Sequence, residues 1–302
     1  MEPIAAGAPG SLAAEDCTPG YDRTTACQNG GGYAEVYRGG QTIGRATFTT
    51  NYKIILDIKQ RVFAEKVAIH ITSATGVGAG ITAHFKGMCS SPCKADSQVP
   101  SGLMKPGTTI KGLVAYTDST KTKHTGAITH QMSVTYPGAT STTLRAPFAL
   151  KFRCDDLLKG QGAGCVWPDY TPTITTLSGL RFISANIRRW QGRGAPKLLH
   201  RNSYLTDKNR YEVCGKAKLP PGWKPPAGWP LPISDPDNKP TCDEYAFASS
   251  NEGGTRAGNG YDWVPHGENN SQGALLKNFY YANRVLNAKS ARDVGDGFNV
   301  AV

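Results

Sequence analysis

The chain has 302 residues, enough for one large domain or two of ordinary size, and its hydrophobic content of 39% is sufficient for real cores. No apolar run approaches the ~20 residues of a membrane-spanning helix. Lys and Arg number 34 against 23 Asp and Glu, and the resulting +11 favours a polyanionic partner such as nucleic acid or an anionic envelope.

Residues 1–32, rich in Gly, Ala and Thr, read as an N-terminal tail closed by a Cys17/Cys27 loop. Residues 33–189 then alternate strand-like runs with turn clusters. Ala34–Arg38 and Thr42–Asp57 flank Gly39-Gly40-Gln41, a hairpin signal. Lys66–Ser73, Ile81–Met88, Thr109–Asp118, Ala127–Tyr136 and Ala146–Cys154 follow, and Arg181–Arg188 reads as one more strand. About seven or eight strands of this spacing suggest an antiparallel β-sandwich. The texture changes near Trp190, where the second domain, 190–302, is placed. There Leu198–Val213 reads as a short helix, and Lys218–Pro240 is a Pro/Trp-rich segment that cannot hold a regular helix or sheet interior. Glu268–Leu286 carries apolar residues at helical spacing, and Gly297–Val302 reads as a closing strand. The fold class expected is α+β, a β-sandwich followed by a small α+β domain.

Eight cysteines fall in four close pairs, Cys17/Cys27, Cys89/Cys93, Cys154/Cys165 and Cys214/Cys242. Proximity suggests these disulfides, although eight cysteines leave many connectivities open. Disulfides imply an oxidising, extracellular compartment. Met1-Glu2-Pro3-Ile4 has neither a basic nor an apolar leader region, so a secreted protein is expected here as a mature or truncated form.

The most informative stretch is Cys242-Asp243-Glu244-Tyr245-Ala246-Phe247-Ala248-Ser249-Ser250-Asn251-Glu252-Gly253-Gly254, followed by Glu268-Asn269-Asn270 at a helix start. Carboxylates and an Asn carbonyl are hard oxygen ligands that suit Mg²⁺ or Mn²⁺, with Ca²⁺ an alternative. Asp243 and Glu244 open an alternating run, Glu252 sits in a Gly-containing turn from which it can fold back toward Asp243, and Asn269 begins the helix. A hairpin carrying an acid or base, packed on a helix that supplies a metal ligand, is the outline of a ββα-metal nuclease site. The plain alternative for each residue alone is a solvated strand edge or a helix cap.

These two motifs, with Phe279-Tyr280 and Asn283-Arg284-Val285-Leu286 behind them, resemble the NucA/NucB-type deoxyribonuclease domain over roughly residues 195–302. The preceding β-rich region resembles that found before such domains in some secreted bacterial proteins. The resemblance implies secreted, divalent-metal-dependent, largely sequence-nonspecific endonucleolytic cleavage of DNA. It also implies a His-Me-finger-like site in which an Asp stands in for the usual His. Carried over by position, Asp243 is the general base, Asn269 a metal ligand, Glu252 a metal ligand or organiser of the metal's waters, and Glu244 a weaker candidate. Glu268 and Asn270 depart from the family's Asp and Arg, leaving Arg256 or Arg284 to supply the lost phosphate contact.

His266 competes as general base, while His70, His84, His124 and His130 read as structural. The run Arg188-Arg189…Arg193…Lys197…His200-Arg201…Lys208…Arg210 reads as an electrostatic track for the DNA backbone, with Arg201 and Arg210 as substrate contacts, or else as a solubilising surface. A Cys214–Cys242 disulfide is expected to clamp Asp243. The leading expectation is an extracellular DNase, deployed as an antibacterial toxin with an immunity or inhibitor protein as partner, or for scavenging DNA. The alternatives are a noncatalytic anionic-polymer-binding module with structural Ca²⁺, and an RNase using the same site.

Overall fold

The computed structural model describes residues 2–7, 18–97, 100–145 and 149–302. The chain forms two compact units, Met1–Tyr170 and Thr171–Val302.

The first unit is built from two mainly antiparallel sheets. In one, the long strands Thr25–Arg38, Gln41–Ile55 and Val62–Gly76 pair in sequence, and Thr109–Asp118 and Cys93–Ser97 continue the sheet. The other runs through Gly164–Val166, Leu150–Asp155, Lys123–Thr135, Thr82–Cys89 and Ser101–Leu103. Strand alternation is what lets these sequences bury one face: Val67, Ile69 and Ile71 are buried, while Lys66 and His70 at the alternate positions are exposed. The core collects Phe48, Ile54, Phe63, Phe85, Val114, Tyr116, Ile128 and Phe152. The first hairpin turns on Gly39 and Gly40, where Arg38 faces Gln41. Their φ values of 58° and 75° are in the left-handed region that a two-residue hairpin turn needs and that glycine reaches without steric cost.

Three expected disulfides are present, Cys89–Cys93, Cys154–Cys165 and Cys214–Cys242. Of the fourth expected pair, Cys17/Cys27, Cys27 is disulfide-bonded, whereas Cys17 lies outside the described residues. Ala146, at the start of an expected strand, also lies outside them. The reading of residues 1–32 as a tail is corrected at Cys27. This residue sits within the strand Thr25–Arg38, opposite Gly20 on one side and Lys53 on the other, so the ladder hydrogen bonds of a sheet hold it rather than a loose loop. Gly20–Tyr21 is a strand as well. Among the described residues no helix is long and apolar enough to cross a membrane.

The second unit begins upstream of the texture change at Trp190, because Ile174, Leu177, Ile183 and Ile187 belong to its core. Its helices are α1 (Arg181–Gln191), α2 (Thr206–Cys214) and α3 (His266–Ala282). Two further expectations are corrected here. Arg181–Arg188 is helical rather than extended. It buries Ile183 and Ile187 four residues apart, and its first free amides, Phe182 N and Ile183 N, donate to the Glu268 carboxylate at 2.8 and 3.1 Å. That cap comes from α3 and has no local sequence signal. Leu198–Val213 is not one helix: Leu198–His200 is a strand, and α2 starts only at Thr206. A three-stranded sheet places Gly297–Val300 between Thr173–Ile174 and Leu198–His200. A two-stranded hairpin, Pro240–Tyr245 against Gly260–Pro265, leads directly into α3. The Pro/Trp-rich segment holds only a short 3-10 turn at Pro236–Asn238, and Trp223 and Trp229 pack edge to face at 5.3 Å.

Candidate active site

The hairpin register sets Cys242 opposite Trp263, Asp243 opposite Asp262 and Glu244 opposite Tyr261. Alternation then sends neighbouring side chains to different helices. Cys242 and Glu244 face α2, where Cys214 forms the disulfide and Arg210 Nε lies 3.5 Å from Glu244 Oε1. Asp243 and Tyr245 face α1, whose Asn186 and Gln191 donate to them. Asn209 of α2 donates to Ala248 O and Ser250 O, tying the turn after the first strand to the same helix. The Gly253-Gly254 pair follows from this: a Cβ on Gly253 would meet Asn209 Nδ2 at 2.6 Å, and Gly254 has a φ of 82°.

A cleft of about 420 Å³ opens between the strand Pro240–Tyr245, α2 and α3. From α3 it is lined by His266, Asn269, Asn270 and Gly273, spaced i, i+3, i+4 and i+7 so that they share one helix face. Asp243, Glu244 and Arg210 line it from the other elements.

Asp243 is only 3% exposed, and its carboxyl is pushed up from the ordinary 3.8 to about 7. Burial is the main cause, reinforced by the charges of Glu244 and Asp262; the hydrogen bond from Asn186 pulls the other way. The Gln272 side chain is close enough to act on the acid, although its buried Nε2 does not meet hydrogen-bond geometry. Glu244 is also raised by burial and partly restored by Arg210. Asn269 donates from Nδ2 to Cys242 O at 3.4 Å, which leaves its Oδ1 as the end available to a ligand.

The expected residues therefore separate into two groups. Asp243, Glu244, Asn269, Arg210 and His266 come together around the cleft. Glu252 does not fold back toward Asp243. It accepts from His200 N and pairs with His200 Nδ1, both at 2.8 Å, and so latches its turn to the three-stranded sheet. Arg284 is not a surface phosphate contact, and Arg201 is half-buried. Arg201 donates to Val285 O and lies over the Tyr280 ring at 4.4 Å, with its pKa lowered by burial, and Arg284 is fully buried. The fully buried Arg284 guanidinium is out of reach of a backbone phosphate. Arg256 is exposed and does not line the cleft. In the basic run, Arg189 is engaged with Asp262 at 2.6 Å, and Arg193 stacks over Trp190 at 4.9 Å. The residues absent from the sequence reading are Asn186, Asn209 and Gln272, which are amides without a charge or spacing signal.

This is a hairpin running straight into a helix, with a buried acid on the first strand and an amide oxygen on the helix. Residues 222–293 match the family described as Deoxyribonuclease NucA/NucB. No curated protein matches the chain. The NucA/NucB match covers the Pro/Trp-rich segment, the hairpin and α3; it leaves α1, α2 and the three-stranded sheet outside. The chain thus carries a nuclease-family segment inside a compact unit larger than the match.

The cleft has the donor chemistry for a hard divalent cation: two carboxylates that burial holds above their ordinary range, and an amide oxygen whose nitrogen is already committed. Among the described residues no three His, Cys, Asp or Glu side chains form a metal cage. An ion bound here would keep much of its water shell, as Mg²⁺ commonly does.

Proposed function

We propose that this protein is a secreted, metal-dependent endonuclease that hydrolyses DNA phosphodiester bonds, with Asp243 as general base. The observation that carries this reading is the buried Asp243 carboxyl, raised to about 7, at a cleft within a segment that matches a deoxyribonuclease family. A base of this affinity is half ionised near neutral pH and can accept a proton from water. Asn269 Oδ1 and Glu244 would hold the cation, which when bound supplies electrostatic stabilisation of the phosphate and of the leaving oxygen.

The chain's own groups do the rest. Asp243 takes the proton of the attacking water. Arg210, exposed at the rim, would have its guanidinium free for a backbone phosphate if Glu244 were held by the cation. Phe247 and Leu276 give the cleft an apolar floor that limits the water reaching the base. The disulfides support an oxidising, extracellular setting.

Digestion of supercoiled plasmid with Mg²⁺ or Mn²⁺, with and without EDTA, tests the reading. Metal-dependent nicking by the wild type, lost in Asp243→Ala and Asn269→Ala, is expected. An oxidised, folded wild type that cuts nothing with either metal would overturn the proposal. A parallel digestion of RNA establishes whether the same site accepts a ribose backbone.

A further inference from the structure

We propose that Asn186, on α1 and upstream of the matched segment, is the positioning residue that fixes the Asp243 carboxylate for its work. The proposal rests on the reading of Asp243 as the base. Asn186 is 1% exposed, and its single Nδ2 donates to two atoms of the same residue, Asp243 O at 2.8 Å and Asp243 Oδ2 at 2.7 Å. Bridging the main chain and the side chain of one residue ties the carboxylate's orientation to its own strand. The main-chain carbonyl also decides which way the amide faces: only the nitrogen can satisfy it, so the carboxylate always meets a donor.

Two further contacts show that α1 is placed for this task. Arg189, one turn beyond Asn186, pairs with Asp262 at 2.6 Å, and Asp262 stands directly opposite Asp243 in the hairpin. Residues i and i+3 of one helix thus hold both members of a facing acid pair. The start of α1 is in turn fixed by Glu268, the neighbour of Asn269 on α3, through Phe182 N and Ile183 N. The helix that carries Asn269 therefore anchors the helix that orients Asp243. Asn186 also leaves its own Oδ1 buried without a hydrogen-bond partner, a cost that an apolar residue of similar size would avoid. Packing alone does not account for an Asn here; the bonds to Asp243 do.

The test is steady-state plasmid or oligonucleotide cleavage by full-length Asn186→Ala and Asn186→Ser, together with a crystal structure of each variant that folds. Misplacing a base by a fraction of a bond length is expected to lower kcat on the order of 10- to 100-fold while KM for DNA changes less than about twofold. The Asp243 side chain is expected to leave its wild-type rotamer. Asn186→Ser leaves room for a water in place of the amide and is the variant to use if Asn186→Ala does not fold. Folded variants with wild-type kcat, equal losses in kcat and in DNA binding, or an Asp243 side chain that has not moved would each overturn the proposal. A wild type that cleaves nothing would instead defeat the nuclease reading, and the crystal structures would still decide whether Asn186 orients Asp243.

Discussion

Each unit of this chain buries a carboxylate, and the two acids are treated differently. Glu65, in the sandwich, is fully buried beside Tyr116 and His130. The Tyr116 hydroxyl donates to Oε2 at 2.5 Å, His130 Nε2 lies 2.6 Å from Oε1, and Tyr52 stacks on the His130 ring at 4.6 Å. Tyr116 is kept a donor, since burial and Glu65 push its hydroxyl up. Asp243 is buried almost as deeply, but its strongest partner is a neutral amide, two other acids stand beside it, and it fronts a cleft. Burial alone does not mark chemistry. An acid closed off by its own neighbours supports a fold; one left under-compensated at an opening is available to water, to a cation and to substrate.

The widest gap between the two acids is expected in catalysis. Asp243→Ala should lose about 10²–10⁴ in DNA cleavage, as for removal of a general base, whereas Glu65→Gln should stay within about twofold per folded molecule. Single-turnover assays on both variants decide this, and an equal loss in both would erase the distinction. Stability should show the reverse order. Removing Glu65 leaves the buried Tyr116 hydroxyl without its acceptor at a cost of about 2 kcal/mol, so Glu65→Ala should lower the melting temperature of the sandwich unit in calorimetry.

Asp243→Asn should do the opposite above neutral pH. The folded-state pKa of Asp243, about 7, lies above its ordinary 3.8, so the folded state holds the proton more tightly. Its contribution to stability is full below about 4 and is lost as pH rises through 7. The neutral amide escapes that loss: Asp243→Asn should melt higher than wild type at pH 8, and the gap should close at pH 4. The same ionisation predicts that wild-type cleavage rises between pH 6 and 8. A smaller effect is expected at the rim. Arg210→Ala should raise KM a few-fold and make binding less salt-dependent, with kcat little changed, because one phosphate contact is lost. The smallest belongs to Glu252→Gln, which weakens the His200 latch by about 1 kcal/mol without touching the cleft; a collapse of metal binding in that variant would return Glu252 to the site.

The legible parts of the molecule were those written locally. Alternation exposed the strands, Gly39-Gly40 the first hairpin, and the apolar spacing after Glu268 the helix that follows the second. The acid on that hairpin and the Asn on that helix were visible because motif and order are local too. What escaped reading was made by distant partners. The start of α1 is capped by Glu268, far along the chain, so Arg181–Arg188 looked like a strand. Cys27 and its neighbours looked like a tail because their small residues carry no alternation, and only the pairing with Gln41–Ile55 makes them sheet. Arg284 reads as a phosphate contact because a charge in a sequence is presumed to be solvated, whereas it is fully buried, and half-buried Arg201 donates to Val285 O. Asn186 has neither charge nor spacing to announce it, and only the packing of α1 on the hairpin gives it a role.

The three-stranded sheet has a consequence for the order in which the molecule can be made. Its middle strand, Gly297–Val300, is the last of the three to be synthesised, and it pairs on one side with Thr173–Ile174 and on the other with Leu198–His200. Until it emerges, those two segments have no partner between them, and the His200 that Glu252 holds has no sheet to anchor it. A ribosome that has already produced the hairpin and α3 has therefore not yet produced a complete second unit.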